Sequence, residues 1–411
     1  MSTPRFWRFN RKRYQLTGAQ CANCGEQFLT PRLTCPHCRN EIEQVAKHVF
    51  PTLFASEKTG EVPVSKVPSF VGKATVSVSK ATDSVSKAPG SVSKAAGSVS
   101  KGPVSTTVLI PSYNSAGTIR ATLSSLLVQN FDEPYEIIVV DSSPDETPHI
   151  ITTEFPTVRL IHLDRQTDPG TARNLGLLQA AGEIIACIDA DCIAPPNWLE
   201  SMVTAQREGH EIVGGTIENG NPDSIIAWAG YLGEFREWLP VGQARLVDHV
   251  PTCNISYRRS IFVRFGGFPT KFYPQEDLLF HWRLSQRGVP VWFDPDIRVR
   301  HVHRSTRRAY NRHMRRIGRI TARVLKLTCE EGVFLARSPL LALLAAPVLP
   351  LVKCARTIGV FMSQQPDVLR EHILALLPFL VGLYAWAVGF VEGACAPPLR
   401  VSQQETLWQT D

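Results

Sequence analysis

This chain of 411 residues lacks several features that would assign it to a common class. Residues 1–13 are basic, but no apolar stretch follows them, so the sequence predicts no signal peptide. The ten cysteines show no spacing typical of a disulfide framework, which favours a reducing, cytoplasmic compartment for the soluble parts. The net charge of +7 is modest. With 44% hydrophobic and 20% charged residues, the composition predicts a globular protein of about two to three domains.

Large apolar residues are scarce in residues 51–103. Lysine recurs there at every seventh position from Lys66 to Lys101. A coiled coil needs two large apolar residues per heptad, and each repeat offers a single valine. Glycine, proline and serine within the repeats also oppose a helix. The segment is therefore predicted to be a low-complexity, flexible, basic linker.

Two cysteine pairs stand in residues 1–50 at the spacing of metal ligands. Cys21 with Cys24 and Cys35 with Cys38 could supply the four thiolates of a tetrahedral Zn²⁺ site. The segment resembles the rubredoxin-like zinc ribbon of acyl-CoA-associated OB-fold proteins, although no OB fold follows here. Four thiolates leave no open position, so the expected zinc is structural. Four unrelated cysteines are the alternative. The ribbon has few basic or aromatic residues, which argues against DNA binding. The expected partner of the ribbon is therefore a protein.

A short apolar strand near the middle of the chain ends in two carboxylates. Residues Ile184–Ile188 read as a strand buried on both faces, with Asp189 and Asp191 at its carboxyl end. Ligands bind at that edge in open α/β sheets, and paired carboxylates suit Mg²⁺ held together with substrate phosphates. A plain acidic turn is the alternative. The flanking pattern predicts a doubly wound α/β domain, with strands at Val108–Pro111, Glu136–Asp141 and Val158–Leu163 and helices at Thr118–Gln129 and Gly170–Ala181.

Residues 105–305 resemble an inverting family 2 glycosyltransferase of the GT-A fold. The resemblance rests on eight motifs in order: Ile110–Asn114, Val140–Ser143, Ala172–Gly176, Asp189–Asp191, Cys253–Arg259, Gly266–Phe268, Gln275–Asp277 and Trp282–Leu284. It implies a Rossmann-like α/β domain with a mostly parallel sheet and a nucleotide-diphosphate sugar as the donor. It also implies Mg²⁺ or Mn²⁺, with Asp191 as the best direct ligand. His301 would face the metal or the diphosphate, and a plain surface histidine is the alternative.

The resemblance also assigns five residues to the donor: Pro111, Tyr113, Asp141, Arg173 and Asp189. Asp141 would bind the nucleobase, with a cap of its strand as the alternative. Arg173 could place a guanidinium on phosphate, or be a charge on a helix surface. Asp189 would contact ribose or water around the metal.

Glu276 and Asp277 form the other carboxylate pair. They follow Pro274 and precede the apolar run Leu278–Leu284, so we expect them at a helix N-terminus, which favours ionised acids. Ordinary capping is the alternative. By resemblance, Asp277 is the catalytic base, and Glu276 binds acceptor or positions Asp277. No nucleophile motif suggests a covalent intermediate. We expect Ile217–Val250 on the acceptor side.

A basic segment and two apolar stretches follow. Residues 304–326 contain nine arginines and lysines. Ile373–Val391 is uncharged and about long enough to span a bilayer, with a buried core helix as the alternative. Ser338–Val352 contains three prolines and predicts a kinked span or a re-entrant segment. The positive-inside rule keeps the arginines cytoplasmic, which predicts an inner-membrane protein whose catalytic domain faces the cytoplasm.

The predicted organisation is a zinc ribbon (1–50), the linker (51–103), a GT-A domain (104–303), a basic juxtamembrane helix (304–332), a membrane hairpin (333–393) and a tail (394–411). We expect metal-dependent, inverting sugar transfer to a lipid-linked or polysaccharide acceptor at the cytoplasmic membrane face, in cell-envelope polysaccharide synthesis, and no nucleic-acid partner. A processive synthase is disfavoured because no Gln-x-x-Arg-Trp follows Asp277 and the spans are few. The alternative is a non-catalytic membrane adaptor that recruits partners through ribbon and linker, but it has no need of Asp189, Asp191 and Asp277.

Overall fold

The computed structural model describes residues 19–20, 27–28 and 104–397. In the first part, strands β1 (Ala19–Gln20) and β2 (Gln27–Phe28) pair antiparallel, with Ala19 opposite Phe28. The four cysteines expected to bind zinc and the linker of residues 51–103 lie outside the described residues.

A nine-stranded sheet forms the centre of residues 104–397. Its strands are β3 (Thr106–Ser112), β4 (Tyr135–Asp141), β5 (Arg159–His162), β6 (Ile184–Ile188), β7 (Cys192–Ile193), β8 (Ile212–Asn219), β9 (Arg245–Val247), β10 (Asn254–Arg258) and β11 (Val291–His301). Their order is β5-β4-β3-β6-β10-β8-β11-β7, and β9 pairs with β11. Strands β5, β4, β3 and β6 are parallel, whereas β10 runs antiparallel to β6 and β8. The sheet is therefore mixed. The parallel arrangement expected from the sequence holds for β5, β4, β3 and β6.

Helices pack on both faces of the sheet. They are α1 (Ile119–Leu127), α2 (Thr147–Glu154), α3 (Pro169–Gln179), α4 (Trp198–Arg207), α5 (Ile225–Glu234), α6 (Arg259–Phe265) and α7 (Glu276–Ser285). Along β3, Val108 and Ile110 belong to one core cluster and Leu109 belongs to the other. The uninterrupted apolar run thus reflects burial on both faces, as the sequence predicts. Helix α2 was not expected from the sequence.

The carboxyl ends of β4 and β6 carry acidic residues to one edge of the sheet. Strand β4 ends at Asp141, opposite Ser112 of β3, and Asp189 directly follows β6. The short strand β7 pairs with the end of β11 so that Cys192 lies opposite His301. This pairing brings His301 beside the acidic turn that follows β6.

Six helices and a 3-10 turn follow the sheet. They are α8 (Arg307–Thr328), α9 (Val333–Arg337), α10 (Pro339–Ala345), α11 (Leu349–Gln364), α12 (Pro366–Glu371), the 3-10 turn Ile373–Ala375 and α13 (Leu376–Cys395). Within residues 104–397, the stretch Ile373–Cys395 is long and apolar enough to cross a membrane. Helices α10 and α11 are bent by 58° at their junction. They are long and apolar enough to cross a membrane only if the two are counted as one span.

Candidate active site

A cavity of about 630 Å³ lies at the edge of the sheet where the parallel strands end. This size suits a small organic ligand. Eight of the residues assigned from the sequence line it: Pro111, Tyr113, Arg173, Asp189, Asp191, Glu276, Asp277 and His301. The structure therefore brings together residues that are up to 190 positions apart in the chain, from Pro111 to His301.

Asp191 and His301 face each other at one part of this cavity. The Oδ1 atom of Asp191 lies 3.5 Å from Nε2 of His301, and the Asp191 side chain is 38% exposed. The amide of Val302 donates to the carbonyl oxygen of Asp191 at 2.8 Å, which fixes the two segments together. The thiol of Cys192 lies near enough to join a metal site with them, but burial raises its pKa well above the usual value. A carboxylate oxygen and an imidazole nitrogen suit Mn²⁺ better than a buried neutral thiol does.

Arg173 is buried and holds two carboxylates. Its Nη2 donates to Oδ1 of Asp189 at 2.7 Å, and its Nη1 donates to Oε1 of Glu276 at 2.9 Å. Because the side chain is only 2% exposed, Arg173 is not a charge on a helix surface. It connects the turn after β6 with the start of α7. Its role as a direct phosphate ligand stays a prediction, since both terminal nitrogens already donate to carboxylates.

Helix α7 begins at Glu276 and carries Asp277 in its first turn, which confirms the predicted helix N-terminus. The Oδ2 atom of Asp277 accepts from the amide of Thr252 at 3.1 Å and lies 3.8 Å from Nε2 of His249. The side chain of Asp277 is 16% exposed, compared with 5% for Glu276. Of the two acids, Asp277 is therefore the one that a ligand in the cavity can reach.

The two acids have opposite pKa shifts. Burial, together with the neighbouring charge of Asp277, raises the pKa of Glu276 to about 7, although Arg173 opposes this. Burial also acts to raise the pKa of Asp277, but His249 and Arg173 outweigh it and hold that pKa well below its usual range. Two adjacent carboxyl groups with divergent pKa values are typical of acid and base roles in active sites.

Asp141 is the assigned residue that does not line the cavity. Its carboxylate is fully buried and accepts from the hydroxyl of Ser143 at 2.6 Å and the amide of Ser143 at 3.0 Å. The Nδ1 atom of His162 lies 2.9 Å from Oδ2 of Asp141, the oxygen that also accepts from the Ser143 amide. Direct contact with a nucleobase would require Ser143 or His162 to give way, so the binding role of Asp141 stays a prediction.

The polar side chains that line the cavity without having been assigned from the sequence include Tyr273, Arg304, His313 and Arg316. His313 Nε2 lies 2.9 Å from the carboxylate of Glu234, which lies in the segment expected on the acceptor side. The guanidinium of Arg316 sits 5.3 Å from the ring centre of Tyr273. Within residues 104–397, neither Arg304 nor Arg316 forms an ion pair with a carboxylate. The arginine-rich sequence gave no signal to separate these two from their surface neighbours.

Two asparagines of the sequence motifs are structural. Asn174 exchanges two hydrogen bonds of 2.8 Å with the backbone of Phe268, which joins α3 to the segment before α7. Asn254 donates to the carbonyl oxygens of Thr216 at 2.7 Å and Ile297 at 3.0 Å. It also accepts from the indole of Trp198 at 2.8 Å. These buried amides fix the scaffold around the cavity and do not contact ligand space.

Comparison with known protein families explains why these motifs occur together. Residues 107–265 match the family model Glycosyl transferase family 2. This chain contains a family 2 glycosyltransferase domain. Residues 11–43 match the model of the ChsH2 rubredoxin-like zinc ribbon, which confirms the ribbon expected from Cys21 to Cys38. Together with the mixed α/β sheet, the family match confirms the GT-A fold.

Relatives of the family 2 domain include glycosyltransferase AglE of Haloferax volcanii, 30% identical over 46% of this chain and 64% of AglE. The pre-mycofactocin glycosyltransferase of Mycobacterium tuberculosis is 28% identical over 48% of this chain and 43% of that protein. The chain thus spans less than two thirds of the length of either relative. Among solved structures, mannosyltransferase PcManGT of Pyrobaculum calidifontis, in complex with GDP-Man and Mn²⁺, is 19% identical with a TM-score of 0.44, covering 69% of this chain and 86% of PcManGT.

Proposed function

We propose that this protein transfers a sugar from a nucleotide-diphosphate donor to a lipid-linked or polysaccharide acceptor, with inversion at the anomeric carbon. The observation that carries the proposal is that one cavity contains a reachable, ionised Asp277 and the Asp191–His301 pair. Sugar transfer needs a base for the acceptor and charge neutralisation for the leaving group. The names of the relatives, both glycosyltransferases, agree with this chemistry.

Asp191 and His301 fit a divalent cation. Their facing atoms lie 3.5 Å apart, and the Asp191 carboxylate opens to the cavity. The Nδ1 atom of His301 is buried and has no hydrogen-bond partner among the described residues. Mg²⁺ or Mn²⁺ held there would neutralise charge on the leaving diphosphate. In the ribbon, Cys21, Cys24, Cys35 and Cys38 would hold a structural Zn²⁺.

Asp277 is the general base of the proposed reaction. It takes the proton of the acceptor hydroxyl while that oxygen bonds to the anomeric carbon and the bond to the diphosphate oxygen breaks. One direct displacement inverts the anomeric centre without a covalent intermediate. Glu276 is nearly inaccessible and held by Arg173, so it positions α7 and does not take this proton.

The donor and acceptor occupy different parts of the cavity. Pro111, Tyr113 and Asp189 line the donor part, and Asp141 would reach the nucleobase. Arg304 and Arg316 add two guanidinium groups that form no ion pair with a carboxylate of residues 104–397, and such groups suit the phosphate of a lipid-linked acceptor. Arg316 belongs to the basic helix α8. We therefore place the reaction at the cytoplasmic face of the inner membrane, where anionic lipid attracts basic helices.

The test compares Asp277→Asn with the wild-type protein. The variant should keep the thermal shift caused by UDP-, GDP- or dTDP-sugar with Mn²⁺, because the donor site is unchanged. Donor hydrolysis should fall by about 10²–10⁴, the usual contribution of a general base. Asp296→Asn, at a carboxylate that is 87% exposed, is the matched control and should behave as wild type.

Near-normal hydrolysis by Asp277→Asn removes Asp277 from the base role. If folded wild-type protein shows no thermal shift with any of the donors, the adaptor function is favoured instead. A shift that does not require Mn²⁺ or Mg²⁺ contradicts the metal site.

A further inference from the structure

Helix α13 lies against α8 with almost no space between the two backbones. A Cβ atom at Gly389 would collide with the carbonyl oxygen of Arg315, and one at Gly393 would collide with that of Arg319. On the other helix, a Cβ atom at Gly318 would collide with the carbonyl oxygen of Trp386. The glycines therefore permit the two helices to pack at backbone contact, and α13 cannot leave α8 without losing this interface.

Helix α8 is strongly basic, and one of its sides is exposed. Its 22 residues include eight arginines and lysines and no acidic residue. Arg312, Arg315, Arg316 and Arg319 are exposed and lie within the stretch that packs on α13. The Nε atoms of Arg315 and Arg319 donate to the Glu392 carboxylate of α13 at 2.8 and 2.9 Å. If α13 crossed a bilayer, these arginines would enter the hydrocarbon with it, which is strongly unfavourable.

The side of α13 next to these glycines belongs to the core of the catalytic domain. Phe379 is fully buried and lies against Gly233 of α5, and Leu383 and Phe390 are in the same core cluster as Val108 of β3. Helix α13 is thus packed along one broad side against α8 and the core. Its exposed residues, among them Leu377, Tyr384 and Val388, lie on the remaining side, and this edge is the part that a bilayer can meet.

That edge and the helices beside it form a large apolar surface. Of the twenty exposed large apolar side chains in residues 104–397, fourteen lie between Phe334 and Val388. Leu344 of α10 is 65% exposed and Leu377 of α13 is 71% exposed. An apolar surface of this kind marks an interaction site, and basic residues around it favour an anionic partner.

We propose that α10, α11 and the exposed edge of α13 lie in the plane of one leaflet of an anionic phospholipid membrane, with the arginines of α8 at its headgroups. In this arrangement α13 does not cross the bilayer, and the surface arrangement replaces the two-span hairpin expected from the sequence. The inference extends the proposed membrane location but does not depend on sugar transfer.

The two ends of α13 provide the test. Glu371, just before the 3-10 turn, is 71% exposed, and native Cys395 ends the helix and is exposed. The full-length Glu371→Cys variant is treated in sealed membrane vesicles of each orientation with a membrane-impermeant maleimide, and labelled peptides are identified by mass spectrometry. We expect both cysteines to react from the same side. Reaction from opposite sides, or protection of both until detergent is added, overturns the proposal.

Binding to lipid vesicles tests the surface itself. Wild-type protein should float with phosphatidylglycerol vesicles and bind pure phosphatidylcholine vesicles at least about tenfold more weakly. Leu344→Glu should weaken binding by about tenfold or more, because it places a charge in the apolar surface. Val128→Glu is the matched control, since Val128 is 61% exposed but directly follows α1, and it should bind as wild type.

Equal binding to both lipids contradicts the role of the arginines, and unchanged binding by Leu344→Glu contradicts the role of the apolar surface. Halving of the molar mass in solution by Leu344→Glu, with lipid binding unchanged, would assign the surface to a second copy of the chain. None of these readouts involves a sugar donor. If the protein binds no donor, the proposed function is refuted and this inference stands. If the protein does not bind anionic vesicles, this inference is refuted and the proposed sugar transfer stands.

Discussion

The pKa of Glu276 predicts an unusual pH dependence of stability. In the folded protein this pKa is raised from its ordinary value of 4.5 to about 7 by burial and the charge of Asp277. The folded protein therefore holds a proton that the unfolded chain releases as the pH rises from 4.5 to 7. Each pH unit between the two values corresponds to about 1.4 kcal/mol. The stability contributed by protonated Glu276 is complete below pH 4.5, and about 3 kcal/mol of it is lost as the pH rises through 7.

Replacing Glu276 with glutamine removes this proton linkage. Between pH 5 and pH 8, the stability of Glu276→Gln relative to wild type should rise by about 2 to 3 kcal/mol. Unfolding entropy is about 2.1 cal/mol/K per residue, so for residues 104–397 the difference in Tm should rise by about 4 °C. The comparison of two pH values cancels effects of the substitution that do not depend on pH, including altered packing. Thermal unfolding is measured in detergent with EDTA, so that no cation enters the site.

Glu208→Gln is the control, because Glu208 is exposed at the end of α4 and its substitution should change Tm equally at both pH values. An equal Tm difference for Glu276→Gln at pH 5 and pH 8 would refute the reasoning. A difference that falls with rising pH would mean that the ion pair with Arg173 outweighs burial, and that the pKa of Glu276 is lowered.

Three further substitutions test other parts of the structure. Asp191→Ala should abolish the Mn²⁺-dependent part of donor binding, and unchanged calorimetric affinity for the donor would contradict the assignment. Asn254→Ala should destabilise the protein by at least about 3 kcal/mol, seen as a Tm lowered by roughly 5 °C, because it leaves the Trp198 indole and two buried carbonyl groups without partners. If the Tm stays within about 1 °C of the wild-type value, the substitution costs almost no stability. That result would mean that water replaces the amide. The double variant Cys21→Ser, Cys24→Ser should lose bound zinc by elemental analysis while keeping donor hydrolysis, and retained stoichiometric zinc would contradict the ribbon site.

Local patterns in the sequence were sufficient where local physics decides the structure. The apolar run before Asp189 is buried on both faces, so its composition predicted a central strand and placed the acids at its end. Pro274 and the acids after it likewise predicted the start of α7. The direction of β10 was not predictable in this way, because an apolar strand has the same pattern whether its neighbours are parallel or antiparallel.

The roles of residues that depend on distant partners were left open by the sequence. Arg173 could be read as a surface charge because its two carboxylates stand 16 and 103 positions away in the chain. The stretch Ile373–Val391 stays a predicted membrane span, because it is long and apolar enough to cross a bilayer. Its apolar composition does not reveal which helices pack on it. In the structure, Gly382, Gly389 and Gly393 recur on one side of the helix, and all three meet α8. Glycines at such spacing allow helices to approach at backbone distance.

The burial of Arg173 explains how two functions share one cavity. Without a central cation, Asp189, Glu276 and Asp277 would repel one another as the chain folds, and the pKa values of all three would rise. Arg173 joins Asp189, beside the proposed metal ligand, to Glu276, beside the proposed base. Its planar fork makes both contacts at once, which the single ammonium of a lysine cannot reproduce. The arginine therefore links the turn after β6 to the start of α7 through its two hydrogen bonds, and these contacts alone account for its burial.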